Sequence, residues 1–189
     1  SNAQDLDVLI ILGQALSDLN RIPEAIDIHK KLIELDSTNS QHYYNIAKLY
    51  WEFNDYDQAR YYYNLILEFN QTNGEIFYYL GFIANQNLEY ELAKNYLLYA
   101  LECGFSSIDL YEQLSLAHIQ TEDYESIIPI LNQAIYFAPN NQNFIYYLGL
   151  SYYHIGAHHE AIKFLKQYYI KNNQDFAATY LIGVSYFKS

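Results

Sequence analysis

The sequence predicts an all-α fold of about eleven helices, paired antiparallel and stacked as a solenoid. Two observations predict it. Gly13, Ala47, Gly81, Ser115, Gly149 and Gly183 recur every 34 residues without an insertion, and a strict period of that length marks stacked copies of one supersecondary unit. Around each small residue, mostly apolar residues fall four and one before it and three after it, on one face of a helix; a second set follows 12 and 19 residues later.

With the small residue taken as position 8, the repeats run 6–39, 40–73, 74–107, 108–141 and 142–175, followed by a half repeat 176–189. Together they read as one domain, 6–189. In the first helix, position 4 holds Leu9, Tyr43, Phe77, Tyr111, Ile145 and Thr179. Position 7 holds Leu12, Ile46, Leu80, Leu114, Leu148 and Ile182, and position 11 holds Leu16, Tyr50, Ala84, His118, Tyr152 and Tyr186. In the second helix, position 20 is Ala25, Ala59, Ala93, Ile127 and Ala161, and position 27 is Leu32, Ile66, Ala100, Ala134 and Tyr168. Glycine inside a helix costs about 1 kcal/mol relative to alanine. Its recurrence at position 8 implies close approach of a second helix, with the position-20 alanine as the matching flat spot.

This pattern resembles the tetratricopeptide repeat family. Leu148-Gly149-Leu150-Ser151-Tyr152 matches the first part of its motif, while Ala161 and Ala134-Ile135-Tyr136-Phe137-Ala138-Pro139 match the rest. The resemblance covers residues 6–189 and implies a right-handed superhelix that serves as a protein-interaction scaffold. The family's usual proline at position 32 stands only at Pro139; Ser37, Gln71, Phe105 and Asn173 replace it. Turns are still expected at Asp36-Ser37-Thr38-Asn39 and Asn70-Gln71-Thr72-Asn73.

Local signals fix several helix ends. Pro23 suits a helix start, Asn54-Asp55 and Glu122-Asp123 supply caps, and Gly104 and Gly156 suit turns. Pro129 falls inside the second helix of repeat 4 and should bend it. Ser1-Asn2-Ala3 reads as a tag-cleavage scar, and the ending on a first helix reads as a piece of a longer protein. That end should expose Leu181, Ile182, Tyr186 and Phe187.

Bulk properties narrow the function. Net charge is −12, with 20 acids against 6 bases over residues 1–125 and 2 against 4 over 126–189. A nucleic-acid partner would need a basic footprint, and an anionic membrane surface would need one too, so neither is expected. Cys103 is the single cysteine, read as a half-buried residue at a helix end. It rules out an internal disulfide and favours a reducing compartment, with the cytoplasm as default. His154, His158 and His159 straddle the Gly156 turn and read as chance rather than a metal site, and His118 reads as a satisfied core histidine. No paired carboxylates, phosphate loop or nucleophile motif appears, so no enzymatic activity, cofactor or metal is expected.

Positions 2, 5, 9, 12 and 13 lie on the other face of each first helix. The family resemblance implies that this face lines a concave groove. There the sequence offers Tyr44, Lys48, Trp51, Tyr78, Phe82, Asn85, Glu112, Leu116, Tyr146, Leu150 and Tyr153, an aromatic and aliphatic stripe edged by Glu75, Asp109 and Glu112. Tyrosine and tryptophan tolerate water when empty and bind well when covered. The family's clamp for acidic C-terminal tails needs Lys at position 5 and Asn at position 9, which no repeat here has. The expected ligand is therefore an apolar, basic peptide or helix. The alternatives are a spacer or a self-assembly module that associates through the C-terminal end, or a regulatory region of a larger protein.

Overall fold

Among the described residues eleven helices form and there is no strand. The computed structural model describes residues 2–69 and 73–189, with side chains from residue 5 onward. Ser1, and Asn70-Gln71-Thr72 of the second expected turn, lie outside the described residues. The helices are α1 (Asn2–Asp18), α2 (Ile22–Leu35), α3 (Ser40–Glu52), α4 (Tyr56–Leu67), α5 (Gly74–Gln86), α6 (Tyr90–Glu102), α7 (Ile108–Gln120), α8 (Tyr124–Phe137), α9 (Gln142–His154), α10 (His158–Tyr169) and α11 (Phe176–Lys188). Two compact units emerge, residues 1–80 and 81–189. Within the first, α1 packs on α2, α2 on α3 and α3 on α4; within the second, α6 through α11 pack successively.

Two columns of the repeat dictate the corners. Position 34 caps every described first helix from α3 onward. Asn39, Asn73, Asn141 and Asp175 accept backbone N–H groups through their side chains, and Ser107 does so through its hydroxyl. Each such cap is worth about 1 kcal/mol. Position 15 lies in the left-handed region in all five internal turns: Asn20 (φ 57), Asn54 (φ 61), Leu88 (φ 61), Glu122 (φ 56) and Gly156 (φ 79). Leucine is poorly suited there, and Leu88 is 70% exposed, so it contributes little burial in return. Leu88→Asn should therefore raise stability by about 0.5–1 kcal/mol in urea unfolding, matching the residue that repeats 1 and 2 use.

Other expectations meet mixed outcomes. Pro23 sits in the first turn of α2, Asp55 caps α4, and Gly104 is left-handed at φ 82. Helix α8 runs on through Pro129. Asp123 makes no side-chain cap bond to the backbone. Its Oδ2 instead lies 3.4 Å from Lys94 Nζ and 3.1 Å from His118 Nδ1, tying α6 and α7 to the start of α8. His118 is buried, and burial lowers its pKa although Asp123 opposes the shift. Neither ring nitrogen meets a partner in hydrogen-bond geometry, Nδ1 having only the 3.1 Å approach of Asp123, so the core histidine is not the satisfied one expected. Cys103 is exposed rather than half-buried, because it follows the last turn of α6.

The packing confirms close approach at position 8 but changes the partner. A Cβ on Gly81 would lie 2.5 Å from Leu97 Cγ, and one on Gly149 would lie 2.8 Å from Leu165 Cγ. Both leucines stand at position 24. The position-20 residues are fully buried alongside, and the carbonyl oxygen of Ala93 is 3.4 Å from the Gly81 Cβ site. Positions 3 and 10 belong to the core as well: His42, Ile76, Leu110, Phe144 and Ala178, and Leu49, Ile83, Ala117, Ser151 and Ser185, are all buried. At the C-terminal end Tyr186 and Phe187 are exposed, as expected. Leu181 is buried against Ala161 and Leu165, with Ile182 packed on the same cluster, because α11 rests on α10.

Candidate functional site

In residues 1–80, α1 and α3 leave a cleft of about 260 Å³ between them. Its walls carry Gln14, Ser17 and Asp18 from α1 and Tyr44, Lys48 and Glu52 from α3, all from the columns opposite the core face. Lys48, Asp18 and Glu52 are exposed. Gln14 Nε2 donates to Asp18 Oδ1 at 2.8 Å. His29 of α2 also lines the cleft, and burial lowers its pKa to about 4, helped by nearby His42. It occupies position 24, where repeats 3 to 5 place leucine.

Beside the cleft lies a framework of rings. Trp51 is half-buried, with its ring centroid 4.6 Å from that of Tyr79 and 5.2 Å from that of Tyr56. Tyr79 stacks on fully buried Tyr63 at 5.1 Å. Tyr78 is half-buried, 5.3 Å from Tyr79. Glu75 accepts the Tyr44 hydroxyl at 2.7 Å and the Tyr79 hydroxyl at 3.2 Å. Burial, and then the negative charge of Glu75, push the Tyr79 phenol up to about 12 and raise that of Tyr44. Both tyrosines therefore stay neutral hydrogen-bond donors at any physiological pH.

In residues 81–189 the candidate residues fall into three groups. Phe82, Leu116, Tyr146, Leu150 and Tyr153 are half-buried. Tyr146, Leu150 and Tyr153 pack onto the Ala161, Leu165 and Leu181 cluster, and the Tyr146 ring lies 5.0 Å from that of Tyr168. Lys188 Nζ lies 5.8 Å from the Tyr153 ring. Glu112 accepts from Asn141 Nδ2 at 3.0 Å and from Asn143 Nδ2 at 3.3 Å, so its carboxylate braces α9 against α7. Asn85 is only 3% exposed. Its amide donates to the Gln113 backbone carbonyl at 2.9 Å and to Gln113 Oε1 at 3.1 Å, which makes it a tie between α5 and α7 rather than a contact residue.

Two features of this surface escaped the sequence. Position 6 contributes Tyr79, which holds Trp51 and Tyr63 together. The acids expected to edge the stripe are partly committed internally, through Glu75 and Glu112, while Asp18 and Glu52 face the cleft. The helical period gave a signal for the second point, since position 13 is acidic in both repeats 1 and 2. Nothing in one sequence marks Glu75 as a tyrosine acceptor. The histidines near Gly156 are separately engaged: His154 stacks on Tyr124 at 3.9 Å and His158 lies 6.0 Å from the Tyr153 ring. Among the described residues, no helix is long and apolar enough to cross a membrane.

Comparison with known proteins bears on the same repeats. Residues 10–74 match the family described as tetratricopeptide repeat, and residues 120–189 match that of anaphase-promoting complex, cyclosome, subunit 3. No curated protein matches in sequence. Among solved structures, the chain is similar to YrrB, described as a TPR protein with an unusual peptide-binding site. The two are 21% identical with a TM-score of 0.78, over 91% of this chain and 89% of that one. It is also similar to the MamA protein (20% identical, TM-score 0.78, 91% and 94% covered) and to MamA 41-end from Desulfovibrio magneticus RS-1 (16%, 0.74, 90% and 97%). At these identities the likeness shows the fold alone. Helix pairs closed at position 8, a 34-residue register and these matches lead to one assignment: the chain belongs to the tetratricopeptide repeat family, whose fold is a scaffold for protein–protein interaction.

Proposed function

We propose that this chain is a protein-interaction scaffold whose first-helix faces hold an apolar segment bearing lysine or arginine, and that it is not an enzyme. The observation that carries the reading is the α1/α3 cleft, lined by exposed Asp18 and Glu52 against the single cation Lys48, with half-buried Tyr44 in the same lining. Carboxylates at a rim select cationic side chains and speed encounter, while half-covered rings supply burial. Leu116, Tyr146, Leu150 and Tyr153 offer the apolar counterpart in residues 81–189. The net charge of −12 and the peptide-binding site described for YrrB support the same reading. The unbroken period across residue 80 supports treating residues 6–189 as one repeat domain.

Panning a random peptide library on the full chain tests this. Sequences combining Leu, Phe or Trp with Lys or Arg should be enriched, and Asp18→Lys with Glu52→Lys should weaken them at least tenfold. Enrichment of peptides ending in Asp or Glu would contradict the reading. A second reading, self-assembly, draws on exposed Val8, Ile11 and Leu12 of α1 and Phe176, Tyr180 and Phe187 of α11. It requires a mass in light scattering that rises with concentration.

A further inference from the structure

His29, reaching the α1/α3 cleft from α2, is a side chain that packing does not explain. It is 4% exposed, and leucine takes its place at position 24 in repeats 3 to 5. There Leu97 and Leu165 press on the glycine opposite. His29 meets Gly13 in the same way, its Nε2 lying 3.0 Å from the site of a Cβ on that glycine. Leucine would make this contact at no polar cost. The imidazole instead leaves Nδ1 sealed from solvent and without a hydrogen-bond partner, and a stranded polar atom of this kind is unfavourable and rare in folded proteins.

The two ring nitrogens differ. Nε2 has no hydrogen-bond partner in the protein either, but unlike Nδ1 it is not sealed, and the cleft that His29 lines is where it meets solvent. Burial keeps the ring neutral near physiological pH by lowering its pKa to about 4, so it carries one N–H and one lone pair. A proton on Nδ1 would be a buried N–H with no acceptor, whereas a proton on Nε2 faces the cleft. The ring therefore presents an N–H donor there.

Charge and size identify the acceptor. Exposed Asp18 and Glu52 line the same cleft against one cation, Lys48, so an anionic acceptor is repelled and a neutral carbonyl remains. Every residue of a bound segment offers a backbone carbonyl, but it is free only where the segment is extended, because inside a helix it accepts from the N–H four residues on. The cleft volume of about 260 Å³ equals that of a sphere about 8 Å across, narrower than the about 10–12 Å of a helix with its side chains. Given the scaffold role proposed above, on which this rests, we propose that the cleft takes the partner's segment in extended form, with a lysine or arginine head at Asp18 and Glu52 and a backbone carbonyl accepting from the His29 Nε2–H.

Long-range proton–nitrogen NMR of the full chain, carrying isotope-labelled histidine, tests this with two probes. Nα-acetyl-lysine methylamide has an ammonium and backbone carbonyls; n-butylamine is the lysine side chain alone. Free His29 should show its proton on Nε2, and the blocked lysine, but not butylamine, should shift that nitrogen. The blocked lysine should bind roughly fivefold tighter than butylamine, the value of one hydrogen bond, and His29→Leu should remove that advantage. A peptide enriched by panning should bind at least tenfold more weakly once i,i+4 lactam bridges close it into a helix. A proton on Nδ1, no His29 shift with the blocked lysine, an advantage that survives His29→Leu, or equal binding of the helical peptide would overturn the proposal and leave the scaffold role standing. Binding of both probes that Asp18→Lys with Glu52→Lys does not weaken would overturn the scaffold role as well.

Discussion

Gly149→Leu should lower the stability of residues 81–189 by about 3 kcal/mol or more, while Gly183→Ala, at the same repeat position, should raise it by about 1 kcal/mol. At Gly149 a Cβ would lie 2.8 Å from Leu165 Cγ, 3.0 Å from its Cδ2 and 3.1 Å from its backbone nitrogen. The side chain could rotate away, but the backbone nitrogen of α10 cannot. A larger residue must therefore push two packed helices apart, and overpacking of this kind costs about 1–3 kcal/mol even when the strain is shared. At Gly183 nothing lies within 4 Å of the Cβ site. Only the helix propensity term remains, and it favours alanine by about 1 kcal/mol. Urea unfolding followed by far-ultraviolet circular dichroism measures both. A pair of shifts with the same sign would show that position 8 is not a contact between helices.

The second large effect is a loss of stability in mild acid centred on His29. Burial lowers the pKa of this imidazole from 6.5 to about 4, with His42 adding repulsion. Burial also lowers the pKa of His42, partly opposed by Asp36. An unfolded histidine takes up its proton near pH 6.5, whereas folded His29 does so only near 4. Between these values the unfolded state binds the extra proton, so stability is complete above pH 6.5 and falls as the pH drops toward 4. After a discount for solvent screening, His29 accounts for about 2 kcal/mol of that fall. The carboxylates with lowered pKa values, such as Asp36, add their losses only below their usual titration near 3.8. Trp51, the only tryptophan, lies in residues 1–80 and reports their unfolding directly. His29→Leu installs the residue that repeats 3 to 5 carry and should remove most of the loss between pH 6.5 and 4.5. An unchanged pH profile in that variant would remove His29 from the account.

The fold was legible because the period never breaks. Columns 7, 8, 11, 20 and 27 could be read as two helix faces, and the structure buries nearly all of them wherever a neighbouring helix exists. Leu12 on α1 and Gly183 and Tyr186 on α11 are exposed, at the two ends, and Tyr152, Tyr168 and Ile182 are half-buried. Positions 3 and 10 were missed because one helical period was matched to one buried face. A first helix in these repeats packs against its own second helix and against the preceding repeat, so its apolar arc is wider than one stripe. Ile76, Leu110 and Phe144 at position 3 carried that signal. The left-handed turn at position 15 was readable at Asn20, Asn54 and Gly156 but hidden at Leu88 and Glu122, whose side chains give no hint of it.

The candidate site was less legible, for a reason rooted in aromatic side chains. A ring on a helix flank can serve the neighbouring repeat and the outer surface together, and hydropathy does not separate the two. Trp51 illustrates this: most of it is covered, with its ring on those of Tyr56 and Tyr79, and only a minor part reaches the surface. Asn85 sat in a surface column by periodicity, yet its amide is spent on Gln113. Which carboxylate meets a tyrosine and which meets water depends on distances across repeats, and one sequence does not encode those in any short-range pattern.

The central claim is that closing the helix pairs at position 8 leaves the opposite first-helix face to a partner. Its most direct test is to map a panned apolar, basic peptide onto the full chain by amide chemical shifts. The account predicts the largest shifts at Ser17, Asp18, Tyr44, Lys48 and Glu52, with a blue-shifted Trp51 emission on saturation. Shifts confined to the second helices, with Trp51 unmoved, would contradict it.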